Sequence, residues 1–432
     1  MAIRGLIRWF AAAVAFPLVA TACTAGPPSA APPSTTPSAA PSSSAPPEVP
    51  PGGIDPSTRF TPLTASTLTT PSPVSGTDGK THLAYELVLT NLSATTVQLG
   101  ELQVLDADGK QVLLSLAGES VTANANLVGG PTGDEGVDGQ GAPGQSIPSS
   151  GTAIVWLDVA VAGPPPAKLA HRLVTTITPP GRAPISVDAT AAEITVNPAA
   201  AVVLGPPLQG GEWYASDGCC ADESHHRRGL TPINGQMLVA QRYAIDWYLL
   251  DDQHRTWVDD PSKITNYLSY DQPAIAVADG VVVDALDGLP DTTSLPEPPP
   301  IPPITETVGN HVTLMIAPGV YVLYAHFKPG TVAVERGQQV KRGDVLGHVG
   351  SSGNSSTPHL HFQVMTTGTF FPTDSPPFAF DCFELTGQVT ERIWDDNIGL
   401  QPTNVLPYVA APDPGRRTSQ MPLDRNVVRF TC

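Results

Sequence analysis

The chain has little positive charge and few cysteines for its length. Its 432 residues carry 22 Lys and Arg against 40 Asp and Glu, a formal charge of −18 at pH 7. No basic cluster offsets that excess, which argues against a nucleic-acid partner. The same charge removes any general attraction to anionic lipid or an anionic wall polymer, so localisation has to come from an anchor and specific contacts. The five cysteines include no CxxC pair, and a cysteine-based zinc site is disfavoured. EF-hand spacing is absent as well, and the Asp- and Gly-containing stretch at 129–144 reads as a solvated loop. The apolar run at residues 10–20 falls short of the roughly 20 residues that a spanning helix needs.

What is present at the N-terminus points to export. Arg4 and Arg8 precede the apolar run, and the small residues Ala20, Thr21 and Ala22 lead into Cys23, the pattern of a secretory signal at 1–22. Cys23 there resembles a bacterial lipobox, with Ala20 where Leu is usual. That implies a lipid on its thiol and a place at the outer face of the cytoplasmic membrane or in the cell envelope; the alternative is a plain signal peptide and free secretion. Residues 23–53 are almost wholly Pro, Ala, Ser and Thr, which cannot bury a core and form an extended tether. Cys219, Cys220, Cys382 and Cys432 are then an even set in an exported chain, which suggests two disulfides. A bond between adjacent cysteines would strain the peptide between them, so Cys219 and Cys220 are each expected to reach Cys382 or Cys432.

The length exceeds one ordinary domain, and the patterning is mainly β. Residues 54–198 hold alternating, β-branched segments at 83–90, 97–104, 111–116, 153–160, 172–177 and 192–196, with turn signals such as Asp108-Gly109 between them. This spacing predicts an N-terminal immunoglobulin-like β-sandwich. It contains no catalytic constellation and reads as a spacer or interaction module. A second set of short strands, at 236–247, 273–285, 310–317, 320–327, 345–349 and 359–364, defines a module over 203–408. Glycines supply its turns. Stretches at 248–271 and 289–307 interrupt it beside strands that carry candidate site residues, either walling a groove or as passive insertions. Residues 409–432 read as a C-terminal tail, tied down if Cys432 is bridged.

The chemistry concentrates in PHLHF at 358–362 and YAHF at 324–327. His359 and His361 are two apart in an alternating segment, so in a strand they project from one face while Leu360 and Phe362 face the core. Two such imidazoles can bind a metal together, or one can bind while the other works on the metal's water as acid or base.

These motifs occur in a definite order: RYAID at 242–246, PAIAVADGVV at 273–282, GNHVTLM at 309–315, YAHF, glycines from 337 to 350, then PHLHF. In that order, over roughly half the chain, they resemble the lysostaphin-type zinc metallopeptidases that cut peptidoglycan cross-bridges. The resemblance implies an antiparallel β-sheet core of lysostaphin/duplicated-hybrid-motif type. It assigns Asp246 and His361 to the metal, with zinc the implied cofactor, and His326 and His359 to catalysis on the water and the transition state. One position departs. Arg242 stands where the family has its first metal-binding His, and a guanidinium that stays protonated cannot ligate zinc. Three readings follow. Another residue supplies the ligand, with His225 or His226 the nearest upstream; or Asp246, His361 and water hold the metal weakly; or Arg242 pairs with Asp246 in a metal-free groove. For His225 and His226 themselves, a solvated pair among charged residues is the expectation.

The function these features imply is a zinc metalloendopeptidase hydrolysing peptide bonds in peptidoglycan stem or cross-bridge peptides. The alternative is a non-catalytic, degenerate module that binds peptidoglycan or activates a partner wall hydrolase. A weaker third reading makes the sandwich an adhesion part that the C-terminal module positions.

Overall fold

The computed structural model describes residues 53–54, 58–129, 142–220, 223–293, 295, 300–393, 395–401 and 403–431. The expected signal at 1–22, Cys23 and its lipid, nearly all of the tether, most of the 129–144 loop and Cys432 lie outside these residues. The chain divides into two compact units, Met1–Thr58 and Arg59–Cys432, so both β modules fall in the second.

Two antiparallel five-stranded sheets build the first module. One runs Leu63–Thr67, Thr81–Asn91, Thr152–Val161, Ala125–Leu127, with Val74–Ser75 added on Thr81–Asn91; the other runs Ile185–Thr195, Lys168–Ile177, Val97–Asp106, Val112–Ala117, with Ser146–Ile147 added on Val97–Asp106. Alternation explains the packing. Leu83, Tyr85, Leu87 and Leu89 turn to one side of their strand and meet Val97, Leu99, Leu102, Val104 and Leu173 of the opposite sheet. The other side of that strand is buried too. Val88 joins Ile154, Trp156 and Val239, so the outer face of the first sheet packs on the second module, and Glu86 on that face is fully buried.

The second module is organised around a ten-stranded antiparallel sheet. Its order is Gln339–Val340, Gly280–Leu286, Asn310–Ala317, Val320–Phe327, Leu360–Met365, Ile245–Leu250, Glu212–Ser216, Asn426–Arg429, Phe383–Val389, Tyr408–Arg417. Trp213, Trp247, Tyr324 and Phe362 lie in its core.

Three expectations change. Residues 409–432 are not a tail, because Tyr408–Arg417 and Asn426–Arg429 both pair with Phe383–Val389. Pro412, Pro414 and Gly415 hide the first of these strands in the sequence, but it is the sheet's edge, where proline is tolerated. Residues 236–247 are not one strand either. A turn closed by the Ala244 amide donating to the Gln241 carbonyl, 2.8 Å, separates Gln236–Val239 from Ile245–Leu250. Finally, Cys219 and Cys220 are bonded to each other. The peptide between them is cis, which brings the two Cα atoms to 3.0 Å from the roughly 3.8 Å of a trans peptide and lets the neighbours meet. Cys382 is also disulfide-bonded.

Candidate metal and catalytic site

Three neighbouring strands converge the expected residues. Asp246 on Ile245–Leu250 stands opposite His361, and His361 stands opposite Ala325 on Val320–Phe327, one residue before His326. His359 ends the loop that leads into Leu360–Met365 and shares a face with His361. Asp246, His326, His359 and His361 are all buried. Asp246 is the common neighbour: its Oδ1 lies 2.8 Å from His361 Nδ1 and its Oδ2 3.6 Å from His359 Nε2. The His326 and His359 rings are 4.9 Å apart. His82, His171, His254, His311 and His348 take no part.

Backbone carbonyls set the tautomers. His326 Nδ1 donates to the Ser352 carbonyl at 2.7 Å, and His359 Nδ1 to the Thr357 carbonyl at 2.7 Å. Each neutral ring therefore keeps its lone pair on Nε2. His361 is set the opposite way. Gln363 donates its amide to the Ala240 carbonyl at 3.0 Å, which turns its Oε1 toward His361 Nε2, also 3.0 Å away. His361 Nε2 is then the donor, and the Nδ1 lone pair faces the Asp246 carboxylate across 2.8 Å. Two acceptors directed at one another call for a cation or a proton between them.

His326 has φ of 64°, a conformation rare for a residue other than glycine and costing about 1–3 kcal/mol where the surroundings enforce it. The enforcement is visible: its amide donates to Val308 and its carbonyl accepts from Gly350. Behind it, Gly309 at φ +62° leaves room for Ser352, whose carbonyl oxygen would lie 2.3 Å from a Cβ added there. The start of the Pro-rich insertion braces the same loop, Asp291 accepting from the Ser351 amide at 2.8 Å and Thr292 Oγ1 donating to the Ser355 carbonyl at 2.9 Å.

The position of Arg242 overturns one reading of the site. It does not pair with Asp246. It lies in the turn before the strand, where Nε and Nη2 donate to Glu86 at 2.9 and 2.8 Å and Nη1 donates to Asp374. Its charge is thus neutralised at the boundary with the first module instead of opposing a metal. The expectation for His226 fails as well. It is only 1% exposed, with Nδ1 donating to the Asp217 carbonyl at 3.0 Å and Nε2 at 3.3 Å from Asp246 Oδ2. His225 is partly exposed, its Nε2 3.9 Å from the same oxygen. His225, His226 and Asp246 together have the spacing of a cation site.

The electrostatics favour ligand-ready states. Burial works to raise the Asp246 carboxyl, but the imidazoles of His226, His359 and His361 hold it well below the usual carboxylate range. Burial pushes the His226, His326 and His359 imidazoles down, and His359 and His361 push His326 further. At pH 7 all three rings are neutral and offer lone pairs.

Residues 265–372 match the model of peptidase family M23. The chain carries an M23 peptidase domain. The matched stretch includes His326, His359 and His361, while Asp246 and the His225–Arg228 helix precede it. Two relatives illustrate the similarity: glycyl-glycine endopeptidase ALE-1 of Staphylococcus capitis, 40% identical over 73 residues, 17% of this chain and 20% of that protein, and DD-carboxypeptidase/endopeptidase Mpg of Neisseria meningitidis serogroup B, 39% identical over 78 residues, 18% of this chain and 17% of that protein. The chain thus spans about a fifth or less of the length of these relatives. Among solved structures, the catalytic domain of lysostaphin from Staphylococcus simulans aligns at 24% identity over 34% of this chain and 80% of that one, with a TM-score of 0.21.

Motif spacing pointed to four residues that lie close together, three of them within the matched stretch. It did not reveal Gln363, Ser352 or Thr357, whose hydrogen bonds set the rings; their nearness to the HxH motif was the available signal.

Proposed function

We propose that this chain is a zinc-dependent endopeptidase that hydrolyses peptide bonds in peptidoglycan stem or cross-bridge peptides, exported and anchored through Cys23. The observation that supports it most is the convergence on one buried carboxylate, Asp246, of His359 Nε2 and His361 Nδ1, with His326 behind them. The donor set fits zinc: an ionised carboxylate and neutral imidazoles, with the His361 Nδ1 lone pair opposed to that carboxylate. Asp246 and His361 would hold the ion, which supplies Lewis acidity, polarising a peptide carbonyl and lowering the pKa of water. His326 and His359 do the proton work. With Nδ1–H tied to a carbonyl, the Nε2 of either ring can take the proton of an attacking water and return it to the leaving amine as the C–N bond breaks.

The test is digestion of purified peptidoglycan by the full chain, followed by labelling of newly exposed amines. Peptide release by the wild type, absent in His359→Ala, is the expected result. Binding to peptidoglycan without any release, unchanged in His326→Ala and His359→Ala, would favour the non-catalytic alternative instead.

A further inference from the structure

We infer that His226 supplies the metal ligand that Arg242 cannot, so that the centre is built from His226, Asp246 and His361. This rests on the zinc reading above. A tetrahedral site with bonds of about 2.0–2.1 Å has ligand atoms about 3.3 Å apart. His226 Nε2 and Asp246 Oδ2 stand 3.3 Å apart; for His225 Nε2 the separation is 3.9 Å. The other nitrogens differ as well. His226 Nδ1 donates to the Asp217 backbone carbonyl and His225 Nδ1 faces the Asp217 carboxylate at 3.3 Å; either partner can orient a metal-binding imidazole, so it is the shorter separation and the burial of His226, 1% exposed, that single it out. The His226 ring meets His361 edge-on, centroids 4.9 Å apart.

The segment that delivers His226 is fixed from the first module. In the helix His225–Arg228, the two histidines face the site and the two arginines enter the sandwich. Arg227 Nη2 donates to the carbonyls of Tyr85 and Leu157 at 3.0 and 2.8 Å, and its Nη1 to Glu86. Arg228 Nη2 donates to the Ala123 carbonyl at 2.7 Å. Glu86 also takes Arg242. One carboxylate therefore holds the residue at the vacated ligand position away from the site and anchors the neighbour of its replacement.

The experiment is competition of the full-length protein against a chromophoric zinc chelator, for the wild type, His226→Ala and His225→Ala. Wild type is expected to take up one zinc, His226→Ala to bind at least a hundredfold more weakly, since even the loss of an outer partner of a ligand costs 10–100-fold, and His225→Ala to stay within about threefold. Zinc X-ray absorption on the wild type, which needs no variant to fold, is expected to count two imidazoles. A wild type that takes up no zinc removes this inference together with the endopeptidase reading. Zinc uptake that His226→Ala leaves unchanged, loss on His225→Ala in its place, or an imidazole count other than two, overturns the inference and leaves that reading standing.

Discussion

Glu86 of the first sheet accepts hydrogen bonds from Arg242 Nε and Nη2 of the second module at 2.9 and 2.8 Å. Both residues are buried, and Arg242 is held protonated by Glu86 and Asp374 against the effect of burial. The pair joins the two modules at the residue where the family motif and this chain part company. Replacing Glu86 by Gln removes one charge from a buried cluster and leaves Arg242 and Arg227 under-compensated, a change that costs about 3–5 kcal/mol. Urea unfolding of Glu86→Gln should show a loss of that order, whereas Lys110→Gln, on an exposed ion pair, should change stability by less than about 1 kcal/mol.

His326 and His359 are expected to act on water without holding the ion. His326→Ala and His359→Ala should each lower kcat by about 10²–10⁴-fold while keeping zinc near one equivalent. Asp246→Ala should lose both zinc and activity. Metal analysis alongside kinetics on peptidoglycan separates the two patterns; loss of zinc from His359→Ala would place that ring among the ligands.

Gly309 allows the close approach of Ser352 that orients His326. Gly309→Ala puts a side chain into left-handed backbone, at about 1–2 kcal/mol, and drives the Ser352 carbonyl away from the new Cβ. The melting temperature should fall, and kcat should fall with little change in KM, because the ring is displaced and not the substrate. A change in KM alone would contradict this positioning role.

The metal-free protein should lose stability as pH falls below about 6.5. His171, His226, His326 and His359 have folded pKa values depressed by burial, so below the unfolded value near 6.5 the unfolded chain binds more protons. Each contributes up to about 1.4 kcal/mol per pH unit until pH passes its folded value. Asp424, pushed up to about 7 by burial, works the other way between about 4 and 7. His82, raised by its Asp158 and Asp78 partners despite burial, acts only above 6.5. Asp291, raised by burial, works the same way as Asp424 above about 4; four groups against these two leave a net decline toward pH 5, measurable by denaturant titration at several pH values in the presence of chelator. His326→Gln should make the slope shallower; an unchanged slope would show that His326 titrates alike in both states.

Much of this structure was legible where pattern and local geometry coincide. The alternation at 320–327 gave a strand with the bounds that the structure shows, that at 83–90 gave one that runs Thr81–Asn91, and Asp246, His326, His359 and His361, picked out by their motifs, lie close together. The rest depended on partners distant in sequence. Nothing near Arg242 shows that Glu86, 156 residues away, will claim it, and His225-His226-Arg227-Arg228 reads as solvated charge until the sandwich takes both arginines. The turn at 240–244 was hidden inside a run that alternates like one strand, and the strand Tyr408–Arg417 was hidden by prolines that its edge position permits.

The most direct measurement is a zinc titration of activity: chelator-stripped full-length protein receives increasing zinc, and amine release from purified peptidoglycan is followed. The expected result is activity that rises to a plateau at one equivalent in the wild type and stays at background in His359→Ala. No release at any zinc level, or equal release by the variant, would contradict the account.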